Sequence, residues 1–270
     1  MLKQRMITGA GLTCGIIAIL LLSDHIWILE TVSVIMSIMG AYELCRAGGY
    51  QDNKAFFCGT MAASVFFAIF GRVTLAAIIL LFSLAGAAYL IRHVNDMTRV
   101  PEWLILLIAS ISAYFFGLLT ELRNQDAGFF LLTKVILSPV ITDIGAYCFG
   151  KVFGKYKLAP VVSPKKTWEG SVGGTCSAVL ILTIMAWILK QNGLVQVNMR
   201  YLVNYLLIAS CICQIGDLTF SAIKRIVGIK DYGTLLPGHG GILDRFDSLL
   251  LVIPFTVFVN QYLGLLFMAV

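Results

Sequence analysis

An all-α polytopic integral membrane protein with about nine transmembrane helices is the fold class that the sequence predicts, and three observations carry the prediction. Hydrophobic residues fill 59% of the 270 positions, and the mean hydropathy is +0.89. Charged residues make up 13% of the chain, about half the ~25% typical of soluble domains. Apolar runs long enough to cross ~30 Å of hydrocarbon recur near residues 6–22, 25–45, 54–71, 73–91, 102–119, 128–149, 170–190, 200–217 and 248–269.

The first run follows a basic flank, Met1–Arg5, but no small-x-small cleavage site succeeds it, so it reads as a retained helix and not a signal peptide. Runs two to five are Leu/Ile/Ala/Phe segments joined by short loops. They read as scaffold. Glu30 and Glu43 are the acids of the second run, each read as a boundary residue or packing partner, with Tyr42 and Arg46 as interface anchors. The sixth run contains Asp143, which must face protein or water, since a carboxylate in lipid is costly. Glycines 145, 150, 154, 170, 173 and 174 around it let backbones approach closely. Pro160 and Pro164 break any helix in the polar stretch 150–169.

The eighth run continues into GDLTFSAIKRIVG, where helical spacing sets Asp217, Ser221, Lys224 and Gly228 on one face. Leu236 to Gly241 must be a loop, and the ninth run begins soon after it. No internal repeat or linker divides the chain, so residues 1–270 read as a single membrane domain, with 1–127 mainly scaffold and 128–270 catalytic.

Charge placement sets an orientation. With a cytoplasmic N-terminus, fifteen of the 20 Lys and Arg residues fall in inside loops and five (Arg72, Arg123, Lys134, Lys190, Arg200) outside. This positive-inside bias puts both long polar stretches, 150–169 and 218–247, and hence the active site, on the cytoplasmic side. The net charge of +6 then reflects topology and anion binding. A nucleic-acid partner is not expected, because no basic soluble domain exists to hold one. The seven cysteines form no metal-ligand pattern and read as small packing residues.

The polar residues concentrate between Ser221 and Asp247, where three aspartates stand among four fixed cations with five glycines. Asp244 and Asp247 are three apart in the first turns of the last helix, so their side chains can converge. Oxygen-only ligation suits a hard cation such as Mg²⁺, which keeps waters and bridges to substrate phosphates. Asp217, Asp244 and Asp247 are the expected ligands of one or two cations, with Asp143 either supporting those ligands or holding a second cation. Lys224, Arg225 and Arg245 suit phosphate groups, with Lys165 and Lys166 on the same electropositive rim. Ser163 and Thr167 complete that cluster, whose order of Gly, Lys and Ser/Thr is not that of a P-loop. His239, Gly240 and Gly241 would let backbone N–H groups approach a phosphate.

Ser221, Lys224-Arg225, Lys230-Asp231, Gly233, Leu236-Pro237, His239-Gly240-Gly241, Asp244-Arg245 and Asp247 stand at spacings that resemble the signature of the phosphatidate cytidylyltransferases, or CDP-diacylglycerol synthases. Gly145-Ala146-Tyr147, Phe149-Gly150, Phe153-Gly154, Lys157-Leu158, Pro160 and Ser163-Pro164 through Gly170 resemble the family's second block. Two positions depart from the pattern: Phe220, where many members have an acid, and Tyr232, where a small residue is common. The resemblance implies transfer of the cytidylyl group of CTP to phosphatidic acid, releasing pyrophosphate, and the short amino terminus and lack of a soluble tail suggest a bacterial plasma membrane. The resemblance also brings Lys230 and Asp231 into the substrate-binding set and Mg²⁺ as cofactor. A glycine-rich bundle is also compatible with a homodimer. The alternatives are a CTP-dependent polyprenol kinase, whose product would be CDP, and a transporter of a phosphorylated solute, which would show pseudo-symmetric halves. A CDP-alcohol phosphotransferase would need an Asp-Gly…Ala-Arg series that is absent.

Overall fold

A computed structural model describes residues 2–70, 76–92, 94, 100–125, 127–236 and 240–263. His239, Arg72 and Arg99 lie outside the described residues. Each predicted run coincides with a helix: α1 (Leu2–Leu21), α2 (Ile26–Ala47), α3 (Lys54–Phe70), α4 (Ala76–Arg92), α5 (Glu102–Arg123), α6 (Gly128–Phe153), α7 (Trp168–Gln191), α8 (Met199–Ile226) and α9 (Leu243–Leu263). Among the described residues five helices, α2, α5, α6, α7 and α8, are both long and apolar enough to cross a bilayer.

Local chemistry sets the helix ends. α5 starts behind Pro101, whose missing N–H costs nothing there, with Glu102 in its first turn. Thr167 caps α7, its hydroxyl accepting from Gly170 N at 3.2 Å. Asn198 caps α8 by accepting from Arg200 N at 3.1 Å. The sequence put Gly228 on the face of α8 with Asp217. The helix instead stops at Ile226, and Gly228 takes a left-handed turn (φ 72°) that a side chain would strain. At ~1.5 Å per residue, the 28 residues of α8 span about 42 Å, more than the ~30 Å thickness of a hydrocarbon layer.

The polar stretches are shorter than the sequence indicated. Much of 218–247 is helical, and of the described residues only 227–236 and 240–242 lie between the two helices. Within 150–169 a two-stranded antiparallel hairpin forms, β1 (Lys157–Ala159) and β2 (Ser163–Thr167), with Pro160 in the turn. Glu169 anchors it from the first turn of α7, accepting from Lys155 N at 3.1 Å and Tyr156 N at 3.2 Å.

Lipid tails are as apolar as leucine, so burial of apolar surface gives little drive for these helices to associate. Close packing and interhelical hydrogen bonds must hold them. α2, α3 and α5 pack together, with Ser33 Oγ donating to Phe116 O at 2.8 Å across α2 and α5. α6 packs along α7, where a Cβ at Gly174 would meet Thr142 O at 2.5 Å, so only glycine allows the approach. α9 lies between these groups and also contacts α4 and α8. Its Leu250, Val252, Ile253 and Val257 are all at most 1% exposed. Tyr205 OH and Thr256 Oγ1 join α8 to α9 at 2.7 Å.

Two sequence expectations need correction. Lys134 does not sit in an outside loop. It is fully buried within α6, with its ammonium 4.3 Å from the centre of the Tyr205 ring and 5.4 Å from that of Phe130. A quadrupole face can offset part of the desolvation cost of a cation. Of the seven cysteines, only Cys45 and Cys213 are buried as packing residues, and the other five are exposed.

Candidate active site

A cavity of about 270 Å³, with several charged side chains in its wall, opens between α6, α7, α8 and the hairpin. Asp143, Tyr147, Lys165, Lys166, Gln214 and Asp217 line it, along with the α7 start at Gly170 and Ser171. That volume admits phosphate groups and an ion but falls just below the range of pockets that enclose a whole drug-sized ligand.

The long α8 carries Asp217 to this cavity. One turn on, Ser221 Oγ donates to Asp217 Oδ1 at 3.2 Å, so the predicted i, i+4 pair is made. Asp217 also forms an ion pair with Lys166 of β2. Burial works to lower the Lys166 pKa, but the charges of Asp217, Asp143 and Asp247 outweigh it and leave it above the ordinary lysine value. Lys166 is therefore a permanent cation among three carboxylates.

Asp247 joins the cluster from α9 and is buried. Its Oδ1 accepts from Ser248 N at 2.7 Å and Ser248 Oγ at 3.1 Å. The backbones of α8 and α9 touch here. A Cβ at Gly216 would stand 2.7 Å from Asp247 O.

Asp244 is held differently from the expectation that it converges with Asp247. Its Oδ1 accepts from Lys224 Nζ at 2.7 Å, and its Oδ2 accepts from Tyr232 N at 2.8 Å and Gly241 N at 2.9 Å. The amide of Gly241, expected to meet a phosphate, is thus committed to Asp244. Gly240 takes a left-handed conformation (φ 84°) beside it. Arg225 Nε donates to Val162 O at 3.2 Å, tying α8 to the hairpin turn. Thr167 is used as the α7 cap. Ser163 is half-buried in β2, while Lys230, Asp231 and Arg245 are exposed and none of these four lines the cavity.

No three His, Cys, Asp or Glu side chains among the described residues stand close enough together to hold a metal ion by themselves. The donor chemistry nevertheless fits Mg²⁺: Asp143, Asp217 and Asp247 are oxygen donors that feel one another's charge, and Mg²⁺ commonly takes only one or two carboxylates, with water and phosphate completing its shell.

Several site residues escaped the sequence reading. Gln214, one turn before Asp217, donates through Nε2 to Thr175 Oγ1 at 3.1 Å and accepts from Ser171 Oγ. Ser210 Oγ continues the seam to Thr175 at 3.2 Å and to Thr142 at 2.9 Å. The i, i+4 spacing of Ser171 with Thr175 and of Ser210 with Gln214 was the available signal. The two departures from the signature meet each other: the Phe220 and Tyr232 rings pack edge to face at 6.1 Å, and Tyr232 OH donates to Phe220 O at 2.9 Å. Burial, and then the charges of Asp247, Asp244 and Glu43, push the Tyr232 phenol well above its ordinary pKa, so it remains a donor. Tyr232→Phe is expected to lower stability by about 1 kcal/mol through the lost hydrogen bond, measured by thermal unfolding in detergent.

The chain resembles three bacterial proteins named phosphatidate cytidylyltransferase. The one from Staphylococcus aureus (strain COL) is 40% identical over 147 residues, 54% of this chain and 55% of the relative. The Staphylococcus saprophyticus protein is 42% identical over the same span and shares. The Bacillus subtilis protein is 39% identical over 191 residues, 70% of this chain and 67% of the relative. The chain thus spans about half the length of the staphylococcal relatives it matches. A family profile described as the cytidylyltransferase family matches residues 3–263. With nearly the whole chain covered, and Asp217, Ser221, Lys224, Asp244 and Asp247 gathered around α8 and α9, the protein belongs to the cytidylyltransferase family.

Proposed function

We propose that this protein transfers the cytidylyl group of CTP to phosphatidic acid, giving CDP-diacylglycerol and pyrophosphate. One observation carries the reading: a cavity of about 270 Å³ in a bundle of apolar helices is lined by Asp143, Asp217, Lys165 and Lys166, with Asp247 adjoining. The relatives' names and the signature residues agree with it.

In the proposed reaction a phosphate oxygen of the lipid attacks the α-phosphorus of CTP. The bond from that phosphorus to the oxygen bridging to the β-phosphate breaks, and pyrophosphate leaves with the electron pair. The lipid phosphate is already ionised near neutral pH, so no general base is required. The protein's task is to align two polyanions and to neutralise charge as it develops. Lys166 and Lys165 contact the phosphates from the hairpin, and Lys224 and Arg225 do so from the end of α8, with Arg245 on the rim.

Asp217 and Asp247 would hold Mg²⁺, with Asp143 beside them. Asp244 would offer a further carboxylate oxygen to the ion if Lys224 turned from it to a phosphate. When bound, the ion supplies charge neutralisation at the phosphate oxygens. The Lys/Arg bias of the loops supports a cytoplasmic N-terminus and a site facing the cytoplasm, where CTP is available, in a bacterial plasma membrane.

The test uses purified protein in liposomes with phosphatidic acid, Mg²⁺ and CTP labelled on the α-phosphorus. Label entering the lipid with release of pyrophosphate is the expected result. CDP appearing without lipid label would reject cytidylyl transfer in favour of a kinase. Lys166→Met is expected to lower kcat/KM for CTP by about ten- to a hundredfold, as the loss of one charge-assisted contact. The same steady-state assay should show little change in the KM for lipid.

A further inference from the structure

We infer that Glu43, in the scaffold half of the chain, is a positioning residue that sets the phase of α9 and with it the site aspartates. The inference rests on the reading that Asp217, Asp244 and Asp247 form the catalytic site. Glu43 is 1% exposed in the last turns of α2, and an unpartnered buried carboxylate would be too costly to keep. Both of its oxygens are used. Oε1 accepts from Ile242 N at 2.8 Å and Oε2 from Leu243 N at 2.9 Å. These amides sit at the start of α9, where no intrahelical acceptor exists and the helix dipole favours negative charge.

The preceding amide, Gly241 N, goes to Asp244. Three consecutive amides at the head of α9 are therefore held by two carboxylates, one from α9 itself and one from α2, about 200 residues away in the chain. The loop is shaped around the Glu43 side chain. A Cβ at Gly233 would lie 2.8 Å from Oε1, and one at Gly241 would lie 2.5 Å from both Cδ and Oε2. Glycine at both positions leaves room for the carboxylate, and α2 can approach because Gly40 leaves space for the Leu243 side chain.

A helix turns about 100° per residue, so releasing or adding one residue at its head swings every side chain in the first turns. Asp244 and Asp247 lie one and four residues beyond Leu243. Glu43 fixes that register, and its loss would misdirect both aspartates without touching substrate.

The experiment compares Glu43→Gln and Glu43→Asp with the unaltered protein and with Asp217→Asn. It measures kcat, KM for CTP and for phosphatidic acid, the Mg²⁺ concentration for half-maximal rate, and the melting temperature in detergent. The carboxamide of Glu43→Gln keeps one acceptor and turns an N–H towards the other amide, whereas Asp keeps both acceptors on a shorter arm. Loss of a supporting hydrogen-bond partner at a metal site commonly costs 10–100-fold. The expected result is a fall of about that size in kcat for Glu43→Gln, a raised Mg²⁺ requirement, a lipid KM within about twofold, and partial rescue of kcat by Asp. Unchanged kcat per folded molecule, or equal losses in both variants that follow only the melting temperature, would overturn the inference. If Glu43→Gln does not fold, Glu43→Asp decides: a lowered kcat at unchanged lipid KM supports the assignment, and an unaltered kcat defeats it. Asp217→Asn separates the two readings. Activity retained in that variant overturns the site and the inference together, whereas activity lost there but kept in Glu43→Gln overturns the inference alone.

Discussion

Asp217→Asn is expected to reduce turnover at least a hundredfold while leaving a folded protein. The change conserves shape: asparagine fills the same volume and its carbonyl can still accept from Ser221, now 3.2 Å away. What it removes is one negative charge from a site that also contains Asp143 and Asp247. Lys166 loses its direct ion-pair partner but retains two carboxylates nearby, so no buried charge is stranded and the large penalty for a half-deleted buried pair does not arise. Mutual repulsion among the carboxylates also falls. The melting temperature should therefore stay within a few degrees of the parent, while the proposed role of Asp217 in holding Mg²⁺ and orienting the α-phosphate would be lost. Transfer of labelled CMP to lipid, measured alongside thermal unfolding, checks both halves. Activity within about tenfold of the parent in a normally folded protein would remove Asp217 from the chemistry.

The helices and part of this site are legible in the residue pattern because both are local. Hydropathy runs find each helix, and four-residue spacing pairs Ser221 with Asp217. Non-local arrangements are the ones that escape. Glu43 reads as a boundary residue or packing partner because its partners are backbone amides, which carry no side-chain signature, about 200 positions away. Asp244 and Asp247 are correctly placed in the first turns of α9. Their spacing cannot reveal that Lys224, Tyr232 and Gly241 engage one of them and Ser248 the other. Lys134 is misplaced for a related reason. A cation near a predicted span edge reads as a loop charge, and only packing shows it against the faces of Tyr205 and Phe130. The end of α8 escapes because Gly228 fits the spacing of the helical face but serves as a left-handed stop.

Gly216→Ala is expected to damage both stability and activity, out of proportion to one added methyl group. The glycine lies where α8 crosses α9. A Cβ there would stand 2.7 Å from Asp247 O and 3.4 Å from Ser248 Cα. The first distance is too short for any real carbon, and the obstacle is helix backbone, which cannot rotate out of the way as a side chain can. The helices must part by several tenths of an ångström, and overpacking of this kind costs about 1–3 kcal/mol. The separation falls between Asp217 and Asp247, so the same movement widens the carboxylate cluster, and a displacement approaching 1 Å can cost two orders of magnitude in rate. Gly86→Ala in α4 is the matched control. Nothing lies within 4 Å of the added carbon there, and replacing a mid-helix glycine by alanine favours the helix by up to about 1 kcal/mol. Melting in detergent and cytidylyl transfer should thus fall together for Gly216→Ala and remain at or above the parental level for Gly86→Ala. Equal behaviour of the two variants would mean that the α8–α9 crossing tolerates a methyl group and does not set the distance between Asp217 and Asp247.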